Sequence, residues 1–183
     1  MKLTLYIFVF FCCLNLKAQE SSPGLEKNIY NIEIGAVGFW LNNELKLSDE
    51  IALRIEVGLY TEIVKGIGFF MAPEITIEPR WYYNIKKRVF KKLDTRNNSA
   101  NFLTIKTSFR SGIFEISNYN QNRAENSIAF IPKWGIKRNI SKSFNYELGA
   151  GIGYLSVINQ KYSTSSDSDG IVIDTHIRLS YTF

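Results

Sequence analysis

Residues 171–183 read IVIDTHIRLSYTF. Ile171, Ile173, Thr175, Ile177, Leu179, Tyr181 and Phe183 occupy the odd positions, and Val172, Asp174, His176, Arg178, Ser180 and Thr182 the even ones. One face is apolar and ends in two aromatics. The other carries an acid, an imidazole, an arginine and hydroxyls. A period of two marks a β-strand whose faces meet very different environments.

The same alternation recurs along the chain. It predicts strands over 29–41, 51–62, 69–85, 101–117, 127–137, 144–157 and 171–183. Residues 42–50 and 86–100 read as polar turns or loops, and no stretch has helical periodicity. Pro73 and Pro79 fall on an apolar face and remove ladder donors, so bulges or local distortion are expected there. In 101–117 the alternation slips after Gly112. A slip of an odd number of residues turns side chains to the other face, which predicts a bulge or tight turn near Ser111–Gly112.

The bulk numbers narrow the class. Residues 1–19 carry Lys2, an apolar run from Leu3 to Leu16, and Ala18 near the expected cut, the pattern of a cleaved secretory signal peptide. Residues 20–28 then form a flexible leader and 29–183 one domain. Both cysteines, Cys12 and Cys13, lie in the removed part, so neither disulfides nor thiol chemistry is expected. Apolar residues make up 45% of the chain, yet beyond the leader no stretch approaches the roughly 20 residues of a membrane helix. That content is dispersed by alternation. The net charge of +5 is modest and does not point to nucleic acid.

Alternation alone fits a soluble sandwich, or a lipocalin-like ligand-binding barrel with its apolar face inward. The polar face favours the opposite arrangement. It collects Glu33, Glu56, Glu74, Glu78, Glu147 and Asp174 against Arg54, Arg80, Lys106, Arg110, Lys133, Lys137 and Arg178, six acids and seven bases. It also carries Gly35, Gly58, Gly135, Gly149, Gly151 and Gly153, which suits a crowded, curved interior. The apolar face carries Trp40, Trp81, Tyr83, Trp134, Tyr146, Tyr154 and Tyr181 towards strand ends, like interfacial girdles. The expected fold is all-β: a closed antiparallel transmembrane β-barrel. Such barrels have an even strand number. Seven strands are legible, so eight are expected, with the extra division at Ser111–Gly112 or elsewhere.

The chain resembles the small outer-membrane β-barrel proteins of Gram-negative bacteria, the OmpA-barrel and OmpX-like class. The resemblance rests on the terminal strand, with Phe183 last and Tyr181, Leu179 and Ile177 at alternate positions, and on PRWYYNIKKR (79–88) and NNSANFL (97–103). It implies an integral protein of the cell outer membrane, reached by secretion through the inner membrane, and a terminal strand read by the barrel-assembly machinery. The members it looks most like carry no established activity, so it implies no mechanism.

A barrel of eight strands is just wide enough to be filled by side chains. The lumen charges, with His176 among them, are therefore expected to pair across a plugged interior, since lone buried charges are costly. A non-enzymatic structural or surface-interaction role follows, with no cofactor. One alternative is a membrane-embedded lipid or peptide hydrolase using His176 with Asp174 and Ser180. Asp167-Ser168-Asp169-Gly170 looks like a calcium-loop fragment but lacks the ligands of a full loop. The cations Lys86, Lys87, Arg88, Lys91 and Lys92 are the candidate lipid contact. Outside the cell they would meet lipopolysaccharide phosphates; in the periplasm, anionic headgroups.

Overall fold

The computed structural model describes residues 24–64, 68–118, 126–158 and 169–183. The signal-peptide reading and Asp167–Ser168 lie outside these residues. Nine strands follow in order: β1 (Asn28–Gly35), β2 (Gly38–Lys46), β3 (Ile51–Val64), β4 (Gly68–Trp81), β5 (Asn101–Arg110), β6 (Ile116–Ser117), β7 (Asn126–Asn139), β8 (Phe144–Ile158) and β9 (Gly170–Thr182). Leaving the two-residue β6 aside, the other eight form an antiparallel meander. β3 pairs with both β2 and β4, and β9 pairs with β1, so the sheet closes and has no edge. Asn31 lies opposite Thr182, so the start of β1 and the end of β9 share one end of the barrel, here called the terminal end. The turns 47–50, 82–100 and 140–143 lie there too. The Ala36–Val37 turn lies at the far end.

The eighth strand arises from an unexpected place. Residues 29–41, read as one strand, are a tight hairpin: Gly35 pairs with Gly38 across Ala36–Val37. Gly38 adopts φ 138°, which a side chain would oppose. Asn42, Asn43 and Glu44, read as turn residues, continue β2. One physical consequence is that Trp40 points into the barrel and is 1% exposed; it is not part of an outer girdle.

The slip near Gly112 is present but does not create the eighth strand. Glu74 faces Arg110, whereas Met71, three residues earlier, faces Ile116, six residues later. Three extra residues are therefore accommodated between β5 and β6 along the same neighbour. An odd number reverses the faces, which puts the even-numbered Phe114 and Ile116 outside. Both prolines lie at local distortions of the ladder: the three extra residues sit opposite Ala72–Pro73. Around Pro79 the β4–β5 ladder is interrupted between Ile77↔Thr107 and Arg80↔Thr104, with the register unchanged. A missing N–H removes one bond, and the flanking pairs hold the alignment.

Side chains divide by face. Ile32, Ile55, Ile77, Ile105, Ile152 and Ile177, one from each of six strands, point outward and are 46% to 66% exposed. Glu33, Arg54, Glu78, Arg80 and Glu147 point inward and are at most 2% exposed. Glycines make room for Trp40: a Cβ on Gly58 would run into its indole, and one on Gly35 or Gly38 would crowd it. At Gly135 a Cβ would meet the Phe102 ring.

The 86–100 segment is more ordered than a turn. It contains a short helix α1 (Ile85–Phe90) and a 3₁₀ turn (Arg96–Asn98). α1 ends in a Schellman motif. Leu93 N–H donates to Arg88 O (3.0 Å) and Lys92 N–H to Val89 O (2.9 Å), with Lys92 itself left-handed at φ 54°. The segment folds back into the barrel mouth. Tyr82, Ile85 and Ala100 pack with Leu25, Ala52 and Phe102 in one apolar cluster. Leu25 belongs to the stretch read as flexible leader; in the structure it is docked, its N–H bonded to Asp49 O (3.3 Å).

Candidate functional site

The inward positions of all eight barrel strands converge on one buried polar column. Its hub is Glu147 on β8. Arg80 from β4 grips it with two parallel bonds, Nη1 to Oε2 (2.7 Å) and Nη2 to Oε1 (2.9 Å). This fork geometry is the strong form of a carboxylate–guanidinium pair. Arg54 Nη1 donates to the same carboxylate at 3.3 Å, and His176 Nε2 lies 3.1 Å from Oε1. Further acids hold the same arginines: Glu78 bonds Arg80 (2.6 Å), and Glu33 and Glu56 both contact Arg54 and Arg178.

Three of the four lumen arginines also lie against a ring. Arg80 lies over Phe102 (4.2 Å), Arg178 over Trp40 (3.9 Å) and Arg110 over Tyr60 (3.7 Å). The guanidinium faces that cannot accept or donate hydrogen bonds are thereby covered by aromatic faces.

Towards the far end a second group centres on Asp174. Lys133 Nζ donates to Oδ1 (2.6 Å) and Lys106 Nζ to Oδ2 (3.0 Å); Lys106 also lies 3.5 Å from Glu74. His176 joins the two groups. An ammonium has only protons to give, so Lys133 Nζ donates to Nδ1 (2.8 Å), and Nε2 carries the proton towards Glu147. A cavity of about 260 Å³ lies over this group, bordered by Trp40, Tyr60, Lys106, Arg110, Asp174 and His176.

The terminal end is capped. Glu44, on β2, accepts bonds from Tyr82 Oη (2.8 Å) and from Asn98 Nδ2, and lies 3.6 Å from Lys137 Nζ. Asn98 in turn accepts from Glu26 N–H (2.8 Å), and Asn97 N–H donates to Glu26 Oε1 (2.8 Å). Asn97 and Asn98 are both left-handed, at φ 52° and 57°, a conformation asparagine tolerates better than most residues. At the outer edge of the cap, Arg96 bonds Asp94 through Nε (3.0 Å) and Nη2 (2.7 Å), which holds that carboxyl well below the usual carboxylate range.

The structure places every lumen residue read from the sequence on the inner face: Glu33, Arg54, Glu56, Glu74, Glu78, Arg80, Lys106, Lys133, Glu147, His176 and Arg178 are buried, and Arg110 and Asp174 half-buried. Glu44 was missed, because its neighbours Asn42 and Asn43 resemble a turn. Adding it makes seven lumen acids (Glu33, Glu44, Glu56, Glu74, Glu78, Glu147, Asp174). They face seven bases (Arg54, Arg80, Lys106, Arg110, Lys133, Lys137, Arg178), so these fourteen charges cancel. Ser180 is not brought to His176: its hydroxyl donates to Glu33 Oε1 (3.0 Å), while both imidazole nitrogens engage Lys133 and Glu147. Asp169 accepts from Val157 N–H (2.7 Å) and sits at the far end. Ile177, Leu179, Tyr181 and Phe183 all face outward, with Phe183 stacked between Tyr30 and Tyr181. The cations of α1 and its following turn lie at the terminal end.

Fold and site together define a class: an eight-stranded antiparallel barrel with a charge-balanced, side-chain-filled lumen and an apolar exterior. Comparisons with family models, with characterised proteins and with solved structures find no match to the chain.

Proposed function

We propose that the chain is an integral outer-membrane β-barrel protein with a filled lumen, serving envelope structure or surface interaction and carrying no enzymatic activity. The observation that carries this reading is the assignment of faces. A continuous belt of isoleucine, leucine and aromatic side chains stands exposed, while fourteen charged residues are turned inward. In water that arrangement is unfavourable twice over. It leaves apolar area unburied at about 25 cal/mol per Å² and desolvates charges. In a bilayer both terms change sense: the belt meets hydrocarbon, and the charges are shielded from it.

The belt has the right height. On β9 it runs from Ile171 to Tyr181. A rise of about 3.4 Å per residue and a tilt of about 40° make this about 26 Å, close to the roughly 25 Å apolar band of such barrels. Trp81, Tyr83 and Trp134 cluster at its terminal border, where Trp134 Nε1 donates to Tyr83 Oη (2.8 Å). An even strand number with both strand termini at one end also fits, and would make the terminal end periplasmic. No helix among the described residues is long and apolar enough to cross a membrane.

The reading predicts that the protein sediments with outer membranes, resists alkaline extraction and changes gel mobility on heating. Recovery as a soluble periplasmic monomer would instead support a ligand-binding barrel built on the far-end cavity.

A further inference from the structure

The stretch KKRVFKKL, 86–93, is the densest group of cations in the chain. In the structure it is α1 and the turn that ends it, attached to the terminal rim two residues after Tyr83. Phe90, in the middle of the cations, is 88% exposed, and Leu93 is 47% exposed. Among the described residues, Phe90 is left almost uncovered and Leu93 about half covered.

The positive charge is also poorly offset. Lys86 lies 3.7 Å from Glu50, with both side chains partly exposed. Arg88 spends its guanidinium on Asp94 O (2.8 Å), a neutral acceptor. Among the described residues no carboxylate lies within ion-pair distance of Lys87, Lys91 or Lys92. Clustered like charges with one aromatic among them disfavour each other on a free surface. Next to a membrane they form the two halves of an interfacial anchor: cations for phosphates, and a ring for the region just beneath them. The rim position fits, because Trp81, Tyr83 and Trp134 mark the terminal border of the apolar belt close by.

We propose that α1 and its following turn form a foot that binds anionic glycerophospholipid headgroups of the leaflet at the terminal end. Lys87, Lys91 and Lys92 contact the phosphates, and Phe90 inserts among the upper acyl chains. The inference rests on the membrane reading above. It selects phospholipid over lipopolysaccharide because the closed eight-strand topology puts the foot at the same end as both strand termini, the periplasmic end in that orientation.

The test uses the chain from residue 20 onward, which has no cysteine of its own, refolded into vesicles with one environment-sensitive fluorophore at Phe90→Cys or, separately, at Leu179→Cys. The position-90 probe is expected to shift to the blue in phosphatidylcholine vesicles containing phosphatidylglycerol, compared with phosphatidylcholine alone. The shift should be lost on going from about 0.1 M to about 1 M salt, where the screening length falls from about 10 Å to about 3 Å. It should also be lost in the K87Q/K91Q/K92Q variant. A position-90 probe that stays water-like in every vesicle overturns the foot. So does a blue shift indifferent to phosphatidylglycerol, salt and the lysines. The position-179 probe separates the two proposals: an apolar signal there with a water-like one at 90 sinks the foot alone, and water at both positions sinks the membrane reading.

Discussion

Replacing Glu147 with leucine is expected to destabilise the barrel by about 3–5 kcal/mol, the largest loss from any single lumen residue. The basis is the asymmetry of buried ion pairs. Glu147 is fully buried and accepts from Arg80, Arg54 and His176. Removing it leaves guanidinium charge in a place water does not reach, and breaking a buried pair from one side costs that order of energy. Removing both partners costs much less, because a matched apolar pair needs no compensation. Urea titration of protein refolded in vesicles should therefore show Arg80→Met/Glu147→Leu to be more stable than Glu147→Leu alone. Glu147→Gln should fall between wild type and leucine, keeping the shape and losing the charge. Equal, small effects from all three would mean that the column is hydrated and contributes little.

Ile77→Arg is expected to cost about 2–4 kcal/mol in a bilayer, the range for a cation on the lipid face near mid-depth. Ile77 lies on β4 between Ile55 and Thr107, well inside the belt, and is 47% exposed. It touches neither the terminal strand nor the lumen, so the substitution leaves the expected assembly signal and the charge column intact. On a protein surface in water the same change falls within about 0.5 kcal/mol of neutral. The size of the effect thus reports the medium outside the barrel. The measurement is the folding free energy in vesicles, with Ile140→Arg in the 140–143 turn at the terminal end, 63% exposed and outside the belt, as the control that should change little.

The sequence was most informative where alternation is pure. β3, β4, β7, β8 and β9 were legible as strands and in their faces, because every second side chain meets the lumen and the few inward apolar residues, such as Phe70, Ala129 and Ile131, leave the alternation readable. The odd slip after Gly112 was legible for the same reason: a reversal of faces leaves a mark in the order of apolar residues. The β1–β2 hairpin was hidden because Ala36–Val37 has no turn residue, and only Gly35 and Gly38 flanking it hint at the reversal. That one omission displaced Trp40 to the outside and left Glu44 out of the lumen, so the charge count came one acid short. The cap was invisible for a different reason. KKRVFKKLDTRNNSA is polar enough to be a solvated loop. What folds it inward is the closure of the barrel beneath it, which offers Tyr82, Ile85 and Asn98 a mouth to fill and Glu44 as an acceptor. Contacts of that kind are made between residues far apart in the chain, and periodicity within one segment does not report them.

The roles of the terminal strand can now be separated by position. Ile177, Leu179 and Tyr181 form its outer face. Asp174, His176 and Arg178 each join a different part of the lumen column: the far-end lysines, the Glu147 hub, and the Glu33–Glu56 pair. A single strand therefore samples both media the account assigns to the protein. The most direct measurement is a nitroxide scan of that strand in vesicles, one label at a time from 173 to 181, read by collision with oxygen, which partitions into lipid, and with a water-soluble nickel complex. The account predicts a period of two: labels at 173, 177 and 179 accessible to oxygen and shielded from nickel, and labels at 174, 176 and 178 shielded from oxygen. Outer-face labels open to nickel and poor in oxygen, on protein that stays folded without lipid or detergent, would contradict it.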